Sequence, residues 1–144
     1  MDSIQITTEQ GAGTEIRKTI IKELIAFNEA KAGTGNSEDI LITAKLDNGT
    51  LVGGLIGYTH WNWVFVSALW VSEKFRGRNF GTQLLIRAEQ IGRDRGCDRI
   101  HLDTFEFQAL GFYQKHGFET FGTLDHYPGN YRRFFLWKEL GPKE

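Results

Sequence analysis

The chain has 144 residues, with 17 Lys and Arg against 18 Asp and Glu and a formal charge of -1. That length suits one domain, 1–144, and 40% hydrophobic with 24% charged residues excludes a disordered chain. The even charge balance excludes a general polyanion binder. A single cysteine, Cys97, excludes an internal disulfide and a multi-cysteine zinc site. No apolar run reaches the ~18–20 residues that cross a bilayer, and Met1-Asp2-Ser3 lacks the basic start and apolar stretch of a signal peptide. The expectation is a cytoplasmic protein with neither nucleic acid nor membrane as partner.

Ile4, Ile6 and Thr8 alternate with polar neighbours, which predicts a short first strand. After a loop through Gly11 and Gly13, Thr14 is placed to cap a helix that carries Ile16, Ile20, Leu24 and Phe27 at helical spacing to about Lys31. Ile40 to Leu46 reads as a strand, and Asp47-Asn48-Gly49 as the tight turn of a hairpin. The return strand, from Leu51 to Trp61, contains Gly53, Gly54 and Gly57. Glycines inside a strand point to a bulge, or to a surface where something lies flat on the backbone. Trp63 to Val71 is the most β-prone segment. A glycine- and arginine-rich loop follows it, then a helix with Leu84, Leu85, Ala88 and Ile91 on one face and Gly96 as its end cap. Arg99 to Asp103 predicts a strand, and Phe107 to His116 a short helix ended by Gly117. Phe118 to Leu124 and Tyr131 to Trp137 predict two more strands. Helices interspersed with a mostly antiparallel sheet make a mixed α/β layer fold.

The segment from Val71 to Thr82 carries the chemistry. A strand ends, the chain turns through Gly77, Asn79 and Gly81, and a helix starts. The first four N–H groups of a helix lack partners inside it, and the aligned peptide dipoles make that end positive. Such a loop suits a phosphate or diphosphate, and Arg76 and Arg78 add charge. Gly81-Thr82-Gln83 is not the Gly-Lys-Ser/Thr of a Walker loop, and no Gly-x-Gly-x-x-Gly follows a first strand. On spacing alone, a plain glycine-rich turn capped by surface arginines competes with the anion site.

Arg76-x-x-Asn79-x-Gly81-Thr82 resembles the acetyl-CoA signature of the GNAT superfamily of N-acyltransferases, Gln/Arg-x-x-Gly-x-Gly/Ala. About thirty residues on, Ala109-Leu110-Gly111-Phe112-Tyr113-Gln114-Lys115-His116-Gly117-Phe118 is similar to that superfamily's Ala-x-x-Phe-Tyr-x-Lys-x-Gly-Phe segment. Asn79 stands where the family has glycine; asparagine tolerates the left-handed backbone the loop needs. Glu106 stands where many members have an asparagine that contacts the pantetheine arm. The resemblance implies a mostly antiparallel sheet of about seven strands with three to four helices, splayed between the fourth and fifth strands.

It further implies acetyl-CoA as cosubstrate, with its diphosphate on the main chain of Arg76, Gly77, Arg78, Asn79, Phe80, Gly81 and Thr82. The arm would pair with Leu69 and Val71 as a false strand, beside Phe112, Tyr113 and Lys115. An amide at Leu69 or Trp70 would polarise the thioester carbonyl, as in an oxyanion hole. A primary amine of a small molecule or of a protein or peptide would attack directly, with no covalent enzyme intermediate and no role for Cys97. Tyr113 would be the general acid. For the base, Glu29, His60, Asp103 and Glu106 are all candidates, directly or through water. The four histidines lack metal-ligand spacing, so no metal is implied. The resemblance also admits a homodimer. His60-Trp61-Asn62-Trp63, Phe105, Phe107 and Tyr127 read either as acceptor walls or as core and dimer contacts. A catalytically silent acyl-CoA-binding or regulatory module, and a binder of another phosphate ligand, are the competing functions.

Overall fold

The Asn48-Gly49 turn sets the register of the first hairpin. In the computed structural model, which describes residues 2–142, Gly49 has a φ of 89°, and the Leu46 and Gly49 amides close the turn on Thr50 and Leu46 carbonyls at 2.9 and 2.8 Å. Met1, part of the N-terminal start read above, lies outside the described residues, as do Lys143 and Glu144. The chain divides at Gly35 into an N-terminal unit and a larger C-terminal unit.

The N-terminal unit holds α1 (Thr14–Ala32). Thr14 is not its cap. Gly13, in the left-handed region at φ 53°, precedes the helix with no side-chain cap, and Thr14 is the first helical residue. The expected strand at Ile4–Thr8 does not form, and Ile4 and Ile6 are 84% and 95% exposed. Two alternating isoleucines give the pattern of a strand, but a strand stands only where a neighbour accepts its ladder. The edges of the sheet are other segments.

The C-terminal unit contains β1 (Glu38–Lys45), β2 (Leu51–His60), β3 (Trp63–Val71), a 3-10 turn at Glu73–Phe75, α2 (Phe80–Asp94), β4 (Arg99–Phe105), α3 (Leu110–Lys115), β5 (Glu119–Leu124) and β6 (Arg133–Glu139). Among the described residues the sheet has six strands rather than seven, in the order β1-β2-β3-β4-β6-β5. Every neighbouring pair is antiparallel except β3–β4.

Alternation decides the two faces. Ile100, Leu102 and Thr104 of β4 are buried, and so are Val64 and Val66 of β3 and Phe134 and Leu136 of β6. They share the core with Leu84, Leu85 and Ala88 of α2 and Tyr113 of α3, which places both helices on one face. His101, Asp103 and Phe105 point to the other face by the two-residue period. His101 sits between Trp63 and Phe65 there, with ring centroids 5.3 and 4.8 Å away. Burial lowers its pKa against a smaller opposing effect of Asp103.

Arg93 and Arg95 tie elements together. Arg95 bonds the Glu38 and Asp39 carbonyls at 3.1 Å each and pairs with the Glu38 carboxylate at 3.1 Å. Arg93 bonds the Gly141 carbonyl at 3.1 Å. Among the described residues, no helix is long and apolar enough to cross a membrane.

The glycines of β2 do mark a bulge. Ile56 pairs with Ala68 and Gly57 with Val66, so Ser67 of β3 is the extra residue. A Cβ on Gly57 would overlap the Phe65 carbonyl. Gly57→Ala should therefore cost about 2–3 kcal/mol, read as a fall in the urea midpoint. Gly111→Ala, where the added methyl meets open space, should leave the midpoint unchanged or raise it, since alanine is the better helix former.

Candidate active site

The β3–β4 ladder is short. Trp63 to Val66 pair with Arg99 to Leu102, and there the pairing stops. The stop coincides with the bulge. Ser67 follows Val66 directly, and its hydroxyl donates to the Ile56 carbonyl at 3.1 Å. A bulge bends its strand and raises the local twist, so β3 turns away from β4. This is the splay expected between the fourth and fifth strands, here β3 and β4 because the first expected strand is missing.

Which backbone groups face the gap follows from the ladder on the other side. The Ser72 amide donates to the Val52 carbonyl at 2.7 Å. Peptide groups alternate sides along a strand, so Trp70 also turns to β2, while Leu69 and Val71 turn to the gap. Of the two expected thioester donors, only Leu69 has its amide on the open side. The Val71 carbonyl accepts from Arg76 Nε at 3.0 Å.

Beyond β3 the 3-10 turn leads into the loop. Gly77 and Asn79 take φ of 78° and 69°, both left-handed. Asn79 immediately precedes α2, and its carbonyl accepts the Gln83 amide at 3.0 Å. Ahead of Gln83, the amides of residues 77–82 have no backbone acceptor among the described residues. Arg76 was expected among these donors, but its amide bonds the Glu73 carbonyl at 3.3 Å, and its side chain anchors to Val71. The Arg78 guanidinium lies over the Phe75 ring, 5.3 Å from its centroid. The loop therefore offers six consecutive amides at a positive helix start, beside an unpaired strand edge. These residues fit a diphosphate with an extended amide-bearing arm.

The second motif packs against the first. Phe112 covers Gly81, where a Cβ would stand 3.4 Å from its ring. Thr82 Oγ1 is 3.0 Å from His116 Nε2, and the His116 ring rests on Phe112 at 4.8 Å. α3 is held to β4 by the Ala109 amide, which donates to the Thr104 hydroxyl at 3.3 Å. Tyr113 is 6% exposed. Burial first, and Asp103 second, push its phenol up to about 12. Lys115, by contrast, ends α3 exposed.

Asp103 is the first β4 residue beyond the paired stretch. Arg133 donates to its Oδ1 through Nη2 at 2.6 Å and through Nε at 2.9 Å. Arg133 in turn lies about 5 Å from the Phe105, Tyr127 and Phe135 ring centroids. From opposite faces of the sheet at the splay, the Asp103 carboxylate lies close enough to Tyr113 to act on its phenol. Glu106 is engaged elsewhere. It accepts the Arg132 amide at 3.1 Å and its guanidinium at 3.1 and 2.8 Å, and these bonds hold its carboxyl below the usual range. His60 pairs with Trp63 at the other end of β3 and meets the Trp61 ring edge-on, with centroids 4.1 Å apart. At ~3.3 Å per residue, four residues of strand put it roughly 13 Å from the bulge. Glu29 lies on α1, exposed, in the N-terminal unit. Among the base candidates of the C-terminal unit, only Asp103 is brought to the gap with Tyr113.

Three features escaped the sequence. Ser67 as the bulged residue, the Asp103–Arg133 pair and the Thr82–His116 contact join positions whose partnership depends on strand pairing or lies 30 and 34 residues apart.

Comparison with known proteins agrees with the geometry. A family model described as acetyltransferase (GNAT) family matches residues 9–118. An acetyltransferase of Agrobacterium fabrum (strain C58) is 37% identical over 113 residues, covering 78% of this chain and 82% of the relative. The blasticidin-S acetyltransferase of Streptomyces morookaense is 39% identical over 95 residues, covering 65% of this chain and 70% of the relative. A crystal structure of an acetyltransferase from Bacillus cereus superposes with a TM-score of 0.84 at 30% identity, covering 94% and 98% of the two chains. With its diphosphate-type loop, its splayed strand edge and these relatives, the chain belongs to the GNAT family of acetyltransferases, whose acetyl donor is acetyl-CoA.

Proposed function

We propose that this protein is an N-acetyltransferase for a primary amine on a small molecule, and that residues 1–144 work as one acetyltransferase domain. The observation that carries the reading is the meeting of Asp103 and Tyr113 at a gap whose backbone edge is unpaired. The name of the blasticidin-S relative supports a small-molecule acceptor over a protein, and the family match spans both units of the chain. Bound acetyl-CoA supplies an activated acetyl thioester.

The chain's own residues do the rest. The amides of Gly77, Arg78, Asn79, Phe80, Gly81 and Thr82 bind the diphosphate, with Arg76 bracing Val71 from below. Leu69 and Val71 hold the pantetheine arm by their peptide groups, and the Leu69 amide donates to the carbonyl oxygen as negative charge grows there. Asp103 keeps Oδ1 on Arg133 and uses Oδ2 to take the proton of the incoming ammonium. Tyr113 stays protonated across the physiological range. Complete transfer from a phenol near 12 to a thiolate near ~8.5 is uphill by roughly 5 kcal/mol. Its hydroxyl therefore acts as a hydrogen-bond donor to the departing sulfur rather than by full proton transfer. Phe105, Phe107 and Tyr127 form the acceptor wall. Phe105 stacks on Phe107 at 5.4 Å and contacts Tyr127 at 5.5 Å, and such rings suit a cationic or amphipathic amine.

The direct test is release of free CoA from acetyl-CoA in the presence of an amine panel. Turnover that depends on the amine is expected; none with any small amine would end the proposal. Gly81→Glu places a carboxylate at the diphosphate site and should abolish CoA binding by calorimetry with the circular dichroism spectrum retained. Tyr113→Phe should lower kcat by about 10²-fold. Asp103→Asn should cost a similar factor at neutral pH and recover toward alkaline pH, where the amine is already neutral.

The raised phenol also has a stability consequence. Its native value of about 12 exceeds the ordinary 10.0. Its contribution is thus fully present below pH 10 and lost as pH rises toward 12. Alkaline denaturation should show this decline in the wild type and a shallower one in Tyr113→Phe.

A further inference from the structure

Thr82 is the last of the loop's amide donors, and its side chain is the one hydroxyl among residues 76–82. That hydroxyl lies 3.0 Å from His116 Nε2. His116 is held from two sides. Its ring rests on Phe112, whose own ring covers Gly81. Its carbonyl accepts Lys138 Nζ at 2.7 Å, and Lys138 pairs at 3.0 Å with Glu89, which is 5% exposed on α2. Lys138 also lies over the Phe118 ring. The imidazole is therefore pinned at the junction of α2, α3 and β6, three residues beyond Tyr113.

A threonine hydroxyl has one proton to give and two lone pairs to offer. If Thr82 donates to His116, nothing remains to give an anion. If Nε2–H donates to Thr82, the hydroxyl proton is released toward the loop, where a phosphate oxygen accepts it. We propose that His116 is a positioning residue: as an Nε2–H donor it turns the Thr82 hydroxyl toward the diphosphate, so that the start of α2 grips the cosubstrate through a side chain set by α3. This rests on the reading of residues 77–82 as the diphosphate loop. It adds to that reading a residue which itself touches neither cosubstrate nor acceptor.

Four variants and one spectrum test it. His116→Ala should raise the KM for acetyl-CoA and the calorimetric Kd for CoA by about tenfold, the loss of one charge-assisted hydrogen bond. The amine KM should stay unchanged and kcat should stay within about twofold. Thr82→Val should give the same loss, and the double variant should be no weaker than Thr82→Val alone, because the two residues act as one donor. His116→Gln carries an amide N–H near the Nε2 position and should restore most of the affinity. Nitrogen-15 spectra of the CoA complex should show His116 protonated at Nε2. Should His116→Ala fail to fold, the Gln and Val variants and the spectrum carry the same comparison.

Wild-type affinity in His116→Ala, additive losses in the double variant, no rescue by Gln, or a bare Nε2 in the complex would each overturn the role. If Gly81→Glu abolishes CoA binding in the same experiments, the loop reading survives that outcome. If Gly81→Glu binds CoA normally, loop and positioning role fall together.

Discussion

The extra residue at Ser67 is the constraint on which the site depends. Gly57 lacks the Cβ that would strike the Phe65 carbonyl, so β2 can approach β3 closely enough to force the bulge. The bulge ends the parallel ladder after Val66 and Leu102. Had the pairing run on, the Leu69 and Val71 peptide groups would have been consumed by β4. Buried peptide groups seek partners. A strand edge with its donors turned into a cleft is thus a ready receptor for an extended chain bearing amides, the geometry by which sheets add a strand. The same divergence opens the cleft in which Asp103 and Tyr113 meet.

The loop at the start of α2 is placed by packing on the covered face of the sheet. Leu84, Leu85 and Ala88 fix the helix against the core, and its first turn is then aligned with the end of β3. Between α2, α3 and β6 lies a polar seam. Glu89 pairs with Lys138 at 3.0 Å and with Arg93 at 3.6 Å, and Lys138 bonds the His116 carbonyl. Removing one member of such a buried pair leaves the other uncompensated, so the seam holds the two helices in one arrangement. Electrostatics at the cleft follow the same economy. Arg133 and Arg132 neutralise Asp103 and Glu106; Arg132 engages both oxygens of Glu106, whereas Arg133 holds Asp103 through Oδ1.

Much of this was legible in the residues. Asn48-Gly49 announced the hairpin, Trp63 to Val71 the central strand, and Gly77, Asn79 and Gly81 the curled loop. Each signal is local, written in turn chemistry or in a two-residue period. The left-handed φ of Asn79 matches what asparagine tolerates. The glycines of β2 signalled a bulge, but which strand carries the extra residue depends on pairing. Ile4 to Thr8 shows the reverse case, a correct local pattern with no neighbour to complete it. The base candidates separate only in three dimensions. His60 and Asp103 look alike as polar residues on strands, yet one lies at the hairpin end of β3 and the other at the fork. Glu106 looked free until Arg132, 26 residues on, was found holding it.

The single cysteine of the chain lies far from this chemistry in role. Cys97 is 5% exposed beside the Trp61 carbonyl, and burial pushes its thiol up. Thiolate is the reactive form, so disulfide-exchange dyes find almost nothing to titrate on the folded protein. Coenzyme liberated during turnover can therefore be counted colorimetrically against a nearly blank background.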